Sequence, residues 1–168
     1  ERLAALTADA AACAIAERFF PHSSCAVVSP EGDYGSALAA AALAGRLRVP
    51  LLFCGSAGLS APTRETLERI GATQLLLVGN FGRATLAAGK AKVERLRDPV
   101  EVALWMQKHA LPVGYLAAAA PADRVVGQVR KLSLAAAVLA AGRQGAVVTL
   151  GTADAPAPTV AAVRDALE

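Results

Sequence analysis

Histidine, cysteine and aromatic residues are all scarce in this chain, and each scarcity closes off a class of function. The only histidines are His22 and His109. A hydrolytic triad needs a nucleophile, a positioned base and an orienting group. His22 follows Pro21 and His109 lies just before Pro112, both between a helix pattern and a strand pattern. They read as surface turn residues at the sheet edge opposite the ligand-bearing loops, and no catalytic triad is expected. Cys13, Cys25 and Cys54 form an odd set without Cys-x-x-Cys spacing. That argues against a zinc site or a disulfide framework and for small buried hydrophobes. Aromatics make up 4% of the chain and its basic residues are dispersed, so the stacking platforms of single-strand nucleic-acid binders are missing and no nucleic-acid partner is expected. Charged residues amount to only 18%. Even so, no apolar run reaches bilayer length, because Arg46 and Arg48 break one stretch and Arg143 another. The expectation is a soluble globular chain that does not span a membrane.

What the chain does have is apolar content of 55%, much of it alanine, and a formal net charge of +3. That content excludes disorder, and 168 residues suffice for a real core in one or two domains. The mild basicity permits an anionic partner without requiring one.

The chain also repeats itself. Ser36–Phe53 (S-A-L-A-A-A-A-L-A-G-R-L-R-V-P-L-L-F) returns as Ser133–Leu150 (S-L-A-A-A-V-L-A-A-G-R-Q-G-A-V-V-T-L). Gly55-Ser56-Ala57 and Ala61-Pro62-Thr63 return as Gly151-Thr152-Ala153 and Ala157-Pro158-Thr159, and Glu1-Arg2-Leu3 as Glu94-Arg95-Leu96. Such a period is far above that of a solenoid. Duplication points to binding by repeated surfaces rather than to one asymmetric catalytic centre. The reading divides the chain into a first unit, residues 1–93, and a second, shorter and divergent unit, residues 94–168, packed on it. Glu1 falls inside a repeat, so the chain is expected to be a processed product or an excised fragment.

Within the first unit, apolar periodicity predicts a helix over Ala8–Phe20, a strand over Cys25–Ser29 and a helix over Ser36–Leu47 with Ser36 as N-cap. A strand over Leu51–Cys54, a helix over Ser60–Gly71, a strand over Thr73–Val78 and a short strand at Lys92–Leu96 come next. The second unit is predicted to run helix Pro99–His109, strand Val113–Ala119, an enlarged loop Ala122–Leu132, helix Leu132–Ala141, strand Gly145–Leu150 and helix Thr159–Leu167. Near-continuous apolar strands separated by helices imply mostly parallel sheets covered on both faces. The fold class is α/β, with two tandem Rossmann-like units.

Ligand contacts in such folds belong in the loops at the carboxyl edge of the sheet. Those loops offer Glu31, Asp33, Ser36, Ser56, Ser60, Thr63, Asn80 and Arg83. Asp33, Ser36, Ser56, Asn80 and Arg83 are retained as candidates. Glu31 and Asp33 lack the further oxygen ligands that a cation needs. Gly79-Asn80-Phe81-Gly82-Arg83 lacks phosphate-loop spacing and reads as a tight turn with glycine at positive φ. No metal and no cofactor is expected. Arg46 and Arg48 sit at the end of the repeated helix, where cations complement the helix dipole, and Arg143 recurs at the matching place. They also set positive charge beside Val49-Pro50-Leu51-Leu52, where phosphates or carboxylates of a polymer can be met.

Further features act together. Ala26-Val27-Val28 is followed by Glu31-Gly32-Asp33-Tyr34-Gly35-Ser36-Ala37-Leu38-Ala39-Ala40-Ala41-Ala42-Leu43-Ala44, then by Val49-Pro50-Leu51-Leu52. Next come Leu67-Glu68-Arg69-Ile70-Gly71-Ala72, Leu75-Leu76-Leu77-Val78-Gly79 and Val93-Glu94-Arg95-Leu96. In this order the first unit resembles the cell wall-binding repeat 2 family of bacterial surface proteins. The family's Pro-Ile-Leu-Leu motif, implicated in polymer anchoring, appears as Pro50-Leu51-Leu52, while the second unit carries Ala146-Val147-Val148-Thr149 there. The resemblance implies an open α/β sheet, tandem modules, a cell-envelope or extracytoplasmic location and attachment to anionic wall polymers without catalysis. It directs attention to Arg46, Arg48, Pro50, Leu51 and Leu52 as the polymer-binding set. The expected partner is an anionic cell-wall glycan or another envelope protein, with self-association into a homo-oligomer a further expectation. Two other classes stand beside this reading. One is a protein–protein assembly scaffold, marked by an exposed apolar patch. The other is a small-molecule or phosphate-binding enzyme domain using Asp33, Ser56 and Asn80, marked by a deep pocket with convergent polar groups.

Overall fold

The computed structural model describes residues 7–55, 57–81, 89–119, 132–149 and 165. Helix α1 (Ala8–Phe19) leads into strand β1 (Cys25–Pro30), helix α2 (Tyr34–Leu47), strand β2 (Leu51–Cys54), helix α3 (Ala61–Ile70) and strand β3 (Gln74–Val78). Strand β4 (Lys92–Leu96), helix α4 (Pro99–Lys108), strand β5 (Tyr115–Ala119), helix α5 (Leu132–Gly142) and strand β6 (Gly145–Thr149) complete the order. The predicted elements recur with ends moved by one or two residues. The expected loop Ala122–Leu132 falls, up to residue 131, outside the described residues, as does the helix Thr159–Leu167 apart from Asp165.

Four parallel strands form the main sheet in the order β2-β1-β3-β4. β4 carries the chain across positions 93 and 94, pairing throughout with β3 from Gln74↔Lys92 to Val78↔Leu96. β5 and β6 pair in parallel as a second, two-stranded sheet, with Leu116 opposite Ala146 and Ala117 opposite Val147. The α/β class, with parallel strands flanked by helices, is as the sequence predicts.

The apolar strands explain the layering. In β1 and β3 successive side chains alternate between two cores, so both faces need a cover. Ala26, Val28, Leu52, Leu75 and Leu77 turn to α1 and α3, where they meet Ala12, Cys13, Ala16, Leu67 and Ile70. Val27, Leu76 and Val78 turn to α2 and α4, against Ala39, Leu43, Val102, Trp105 and Met106, and Ala146 of β6 joins this cluster. A third cluster unites Leu38 and Ala42 of α2 with Ala137 and Ala140 of α5 and Val147 of β6. Packing of α5 on α2 is close. A Cβ placed on Gly45 would lie 2.4 Å from the Cβ of Ala141, so glycine is what lets the two backbones meet.

One predicted cap differs. The N-cap of α2 is Asp33 rather than Ser36, and the helix begins at Tyr34. The Asp33 carboxylate accepts from the Ser36 amide at 3.0 Å and from the Ser36 hydroxyl at 2.6 Å. A carboxylate at the positive end of a helix competes better for those amides than a neutral hydroxyl, which here serves as a donor to it. α3 is capped by Ser60, whose Oγ accepts from the Thr63 amide at 3.2 Å, and Gly71 closes it in the left-handed region.

Candidate functional site

Strand order reverses between β1 and β3, so the loops after them flank the crevice in which open α/β sheets usually hold ligands. Here the loop after β3 packs closely on Pro30 and the start of α2. Gly79 has φ +114°, and a Cβ on it would lie 2.7 Å from both Cβ and Oγ of Ser36 and 3.1 Å from Cδ of Pro30. The Gly79 amide donates to the Leu96 carbonyl at 2.8 Å. This is the tight glycine turn read from the sequence. Asp33 and Ser36, both offered as ligand candidates, are brought together, but their polar atoms are spent on each other and on the first turn of α2. Asn80 is exposed beside them. Ser56 and Arg83 lie outside the described residues.

Two cavities open elsewhere on the surface. One of about 310 Å³ lies between α3 and the chain entering β4, with Leu59, Leu67, Leu75 and Ala91 below a rim of Arg64 and Lys90. The other, of about 300 Å³, runs over the sheet edge at β2, lined by Tyr34, Leu38, Ala41, Leu51 and Phe53. Neither is lined by Asp33, Ser36 or Asn80.

Several other chemistry-bearing groups are held by stacking, burial or ion pairing. His109 is exposed; its ring stacks on Trp105 at 4.0 Å between centroids and its Nδ1 lies 2.8 Å from the Trp105 carbonyl. Burial pushes the Cys25 and Cys54 thiols up, which makes them poor nucleophiles at neutral pH. Glu17 pairs with Arg69 and accepts from Thr66 Oγ1 at 2.8 Å, which holds its carboxyl below the usual range. Among the described residues no group of three histidine, cysteine or acidic side chains is placed to hold a metal ion.

The basic set occupies the opposite end of α2. That helix has 14 residues, which at about 1.5 Å per residue separates the two candidate groups by about 20 Å. Arg48 is the C-cap of α2, exposed and in the left-handed region at φ 56°; its amide bonds to the carbonyls of Ala44 and Gly45. Arg46 reaches across to the residue just past α5, its Nη1 donating to the Arg143 carbonyl at 3.1 Å. Pro50 and Leu52 are buried, Leu52 with no exposure at all, while Leu51 is half-buried at the sheet edge. Pro50 serves the sheet, its carbonyl accepting from Val27 at 3.0 Å. Of the five residues the resemblance directs attention to, the structure therefore brings the two arginines and part of Leu51 to the surface.

Solved structures bear on this arrangement. The chain superposes on Cwp6 from Clostridium difficile with a TM-score of 0.71 at 17% identity, over 89% of this chain and 25% of that one. It superposes on Cwp8 from the same organism with a TM-score of 0.70 at 16% identity, over 94% of this chain and 28% of that one. The likeness is one of fold. The chain spans about a quarter of the length of either protein. No protein-family model and no curated protein matches it.

Arg143 lies against Arg46 and is not among the five residues drawn from the resemblance. Its recurrence is visible in the sequence, since it matches Arg46 across an offset of 97 residues. Its proximity is not, because that depends on how α5 docks on α2. Among the described residues no helix is long and apolar enough to cross a membrane.

Proposed function

We propose that this chain is a non-catalytic module of the cell envelope that holds an anionic wall polymer through the basic surface at the end of α2. The observation that carries the reading is the group Arg46, Arg48 and Arg143, for which no ion pair exists among the described residues. Unpaired guanidiniums at a surface attract phosphate and carboxylate groups. The fold likeness to Cwp6 and Cwp8, cell wall proteins of Clostridium difficile, supports an envelope location. Affinity comes from charge, not from the Pro50-Leu51-Leu52 side chains, most of which serve the core.

Cosedimentation with purified cell-wall sacculi, before and after removal of their covalently attached anionic polymer, tests the reading. Binding is expected to need the polymer and to weaken as salt screens the charges. Absence of binding at every salt concentration would discard it.

A second reading, an assembly scaffold, rests on a different observation. Val138 and Leu139 on α5 are 64% and 56% exposed, and Phe19 on α1 is 66% exposed. Large apolar side chains kept at the surface mark contact with other subunits when they cluster. Sedimentation velocity over a concentration series decides between a monomer and such an assembly.

A further inference from the structure

We propose that the seam between the two units carries a composite anion site, in which Arg143 of the second unit joins Arg46 and Arg48 of the first around one multiply charged oxyanion. This deepens the wall-polymer reading and rests on it for the identity of the natural ligand.

Gly45 and Ala141 bring α2 and α5 into backbone contact, and both helices end within one turn of that point, at Leu47 and Gly142. The residues just past the two helix ends are therefore held near each other. Arg48 occupies that place on one side and Arg143 on the other, with Arg46 lying across the gap. Arg46 uses one of its five N–H donors on the Arg143 carbonyl, and the rest of the fork stays available. Arg48 and Arg143 are exposed.

Charge favours a ligand of more than one negative charge. Each helix terminus contributes about half a negative charge, so two of them offset about one of the three positive charges. About two remain, and no carboxylate pairs with them among the described residues. Guanidinium forks match phosphate oxygens in geometry as well as in charge. A site assembled from both units also gives the duplication a use that neither unit has alone.

The interunit hydrogen bond allows a clean test, because Arg46 is held by the main-chain carbonyl of residue 143 and not by its side chain. Arg143→Gln removes the charge and leaves that bond in place. With polyphosphate as the probe, calorimetric titration of the whole chain at low salt is expected to show about a tenfold loss of affinity for R143Q, as for one charge-assisted contact. R143K is expected between the two, since it keeps the charge and loses the fork, and the unfolding temperature of R143Q should match the wild type. In NMR spectra the Nε–Hε resonances of Arg46, Arg48 and Arg143 should shift along one shared isotherm. The proposal is overturned if the wild type has no affinity for polyphosphate, if R143Q binds as tightly as the wild type, or if the three resonances trace unrelated curves. The sacculus assay separates the two levels. Polymer-dependent sedimentation together with an unaffected R143Q overturns the composite site and leaves the wall reading standing. Polyphosphate binding weakened by R143Q, without any sacculus binding, upholds the composite site and removes the wall reading.

Discussion

Arg46 and Arg143 hold matching places in two similar stretches of sequence, and the guanidinium of the first donates at 3.1 Å to the main-chain carbonyl of the second. The end of α2 is thereby joined to the residue that follows α5. The contact is one-way, because the donor is a side chain and the acceptor is backbone. It adds a surface tether to helix ends already brought together by the packing of α5 on α2.

Replacing Gly45 by alanine tests how tight the crossing is. In an isolated helix the change would add about 1 kcal/mol of stability. Here the new Cβ would lie 2.4 Å from that of Ala141, and overpacking of this kind costs about 1–3 kcal/mol. The steric term is expected to win, so urea denaturation of G45A should show a lower midpoint than the wild type. An unchanged or raised midpoint would mean that the helices can slide apart without loss.

Arg48→Gly separates stability from binding. A non-glycine residue in the left-handed region costs about 1–2 kcal/mol, and Arg48 sits there as the cap of α2. Glycine at this position should raise the unfolding free energy by about 1 kcal/mol while weakening attachment to sacculi. Thermal unfolding and cosedimentation of the same preparation check both halves.

Asp33 is expected to act as a helix cap and nothing more. Asp33→Ala should cost about 1 kcal/mol and leave sacculus binding unchanged, whereas Asp33→Asn, itself a good cap, should lose little. Loss of binding in D33N at intact stability would restore Asp33 as a ligand residue.

Acid should loosen the contact between α1 and α3. Arg69 first, and then the Thr66 hydroxyl, hold the Glu17 carboxyl below its ordinary value, and Arg97 does the same for Glu101. A carboxylate whose folded pKa is depressed contributes stability above its unfolded pKa, about 4.3 for glutamate, and loses it as pH falls through the lower folded value. Unfolding temperatures should therefore drop on acidification below about pH 4.3, and the drop should be smaller in Glu17→Gln. An equal drop in that variant would assign the acid sensitivity to other groups.

The strands are legible in the sequence because a parallel sheet covered on both faces must be written in unbroken apolar residues, as in Ala26-Val27-Val28 and Leu75-Leu76-Leu77-Val78. The same property hides the fate of Pro50-Leu51-Leu52. When both faces of a strand are buried, its composition does not tell which residue stays at the surface, and here only Leu51 does so in part. The N-cap of α2 lies three positions earlier than the sequence pattern places it, since Asp33 and Ser36 are both good caps and only their mutual hydrogen bond distinguishes them. Arg143 can be found as a repeat of Arg46, but its nearness depends on Gly45 and Ala141, two small residues whose partnership no local pattern encodes.

The one-way bond between α2 and the residue after α5 also bears on which substitutions the junction tolerates. A carbonyl acceptor is present whatever amino acid occupies position 143, so substitutions there leave this joint intact. The two matched stretches of sequence differ close by, with Val147-Val148 standing where the other has Pro50-Leu51, and the joint does not depend on that difference. The side chain at position 143 can therefore change without cost to that joint.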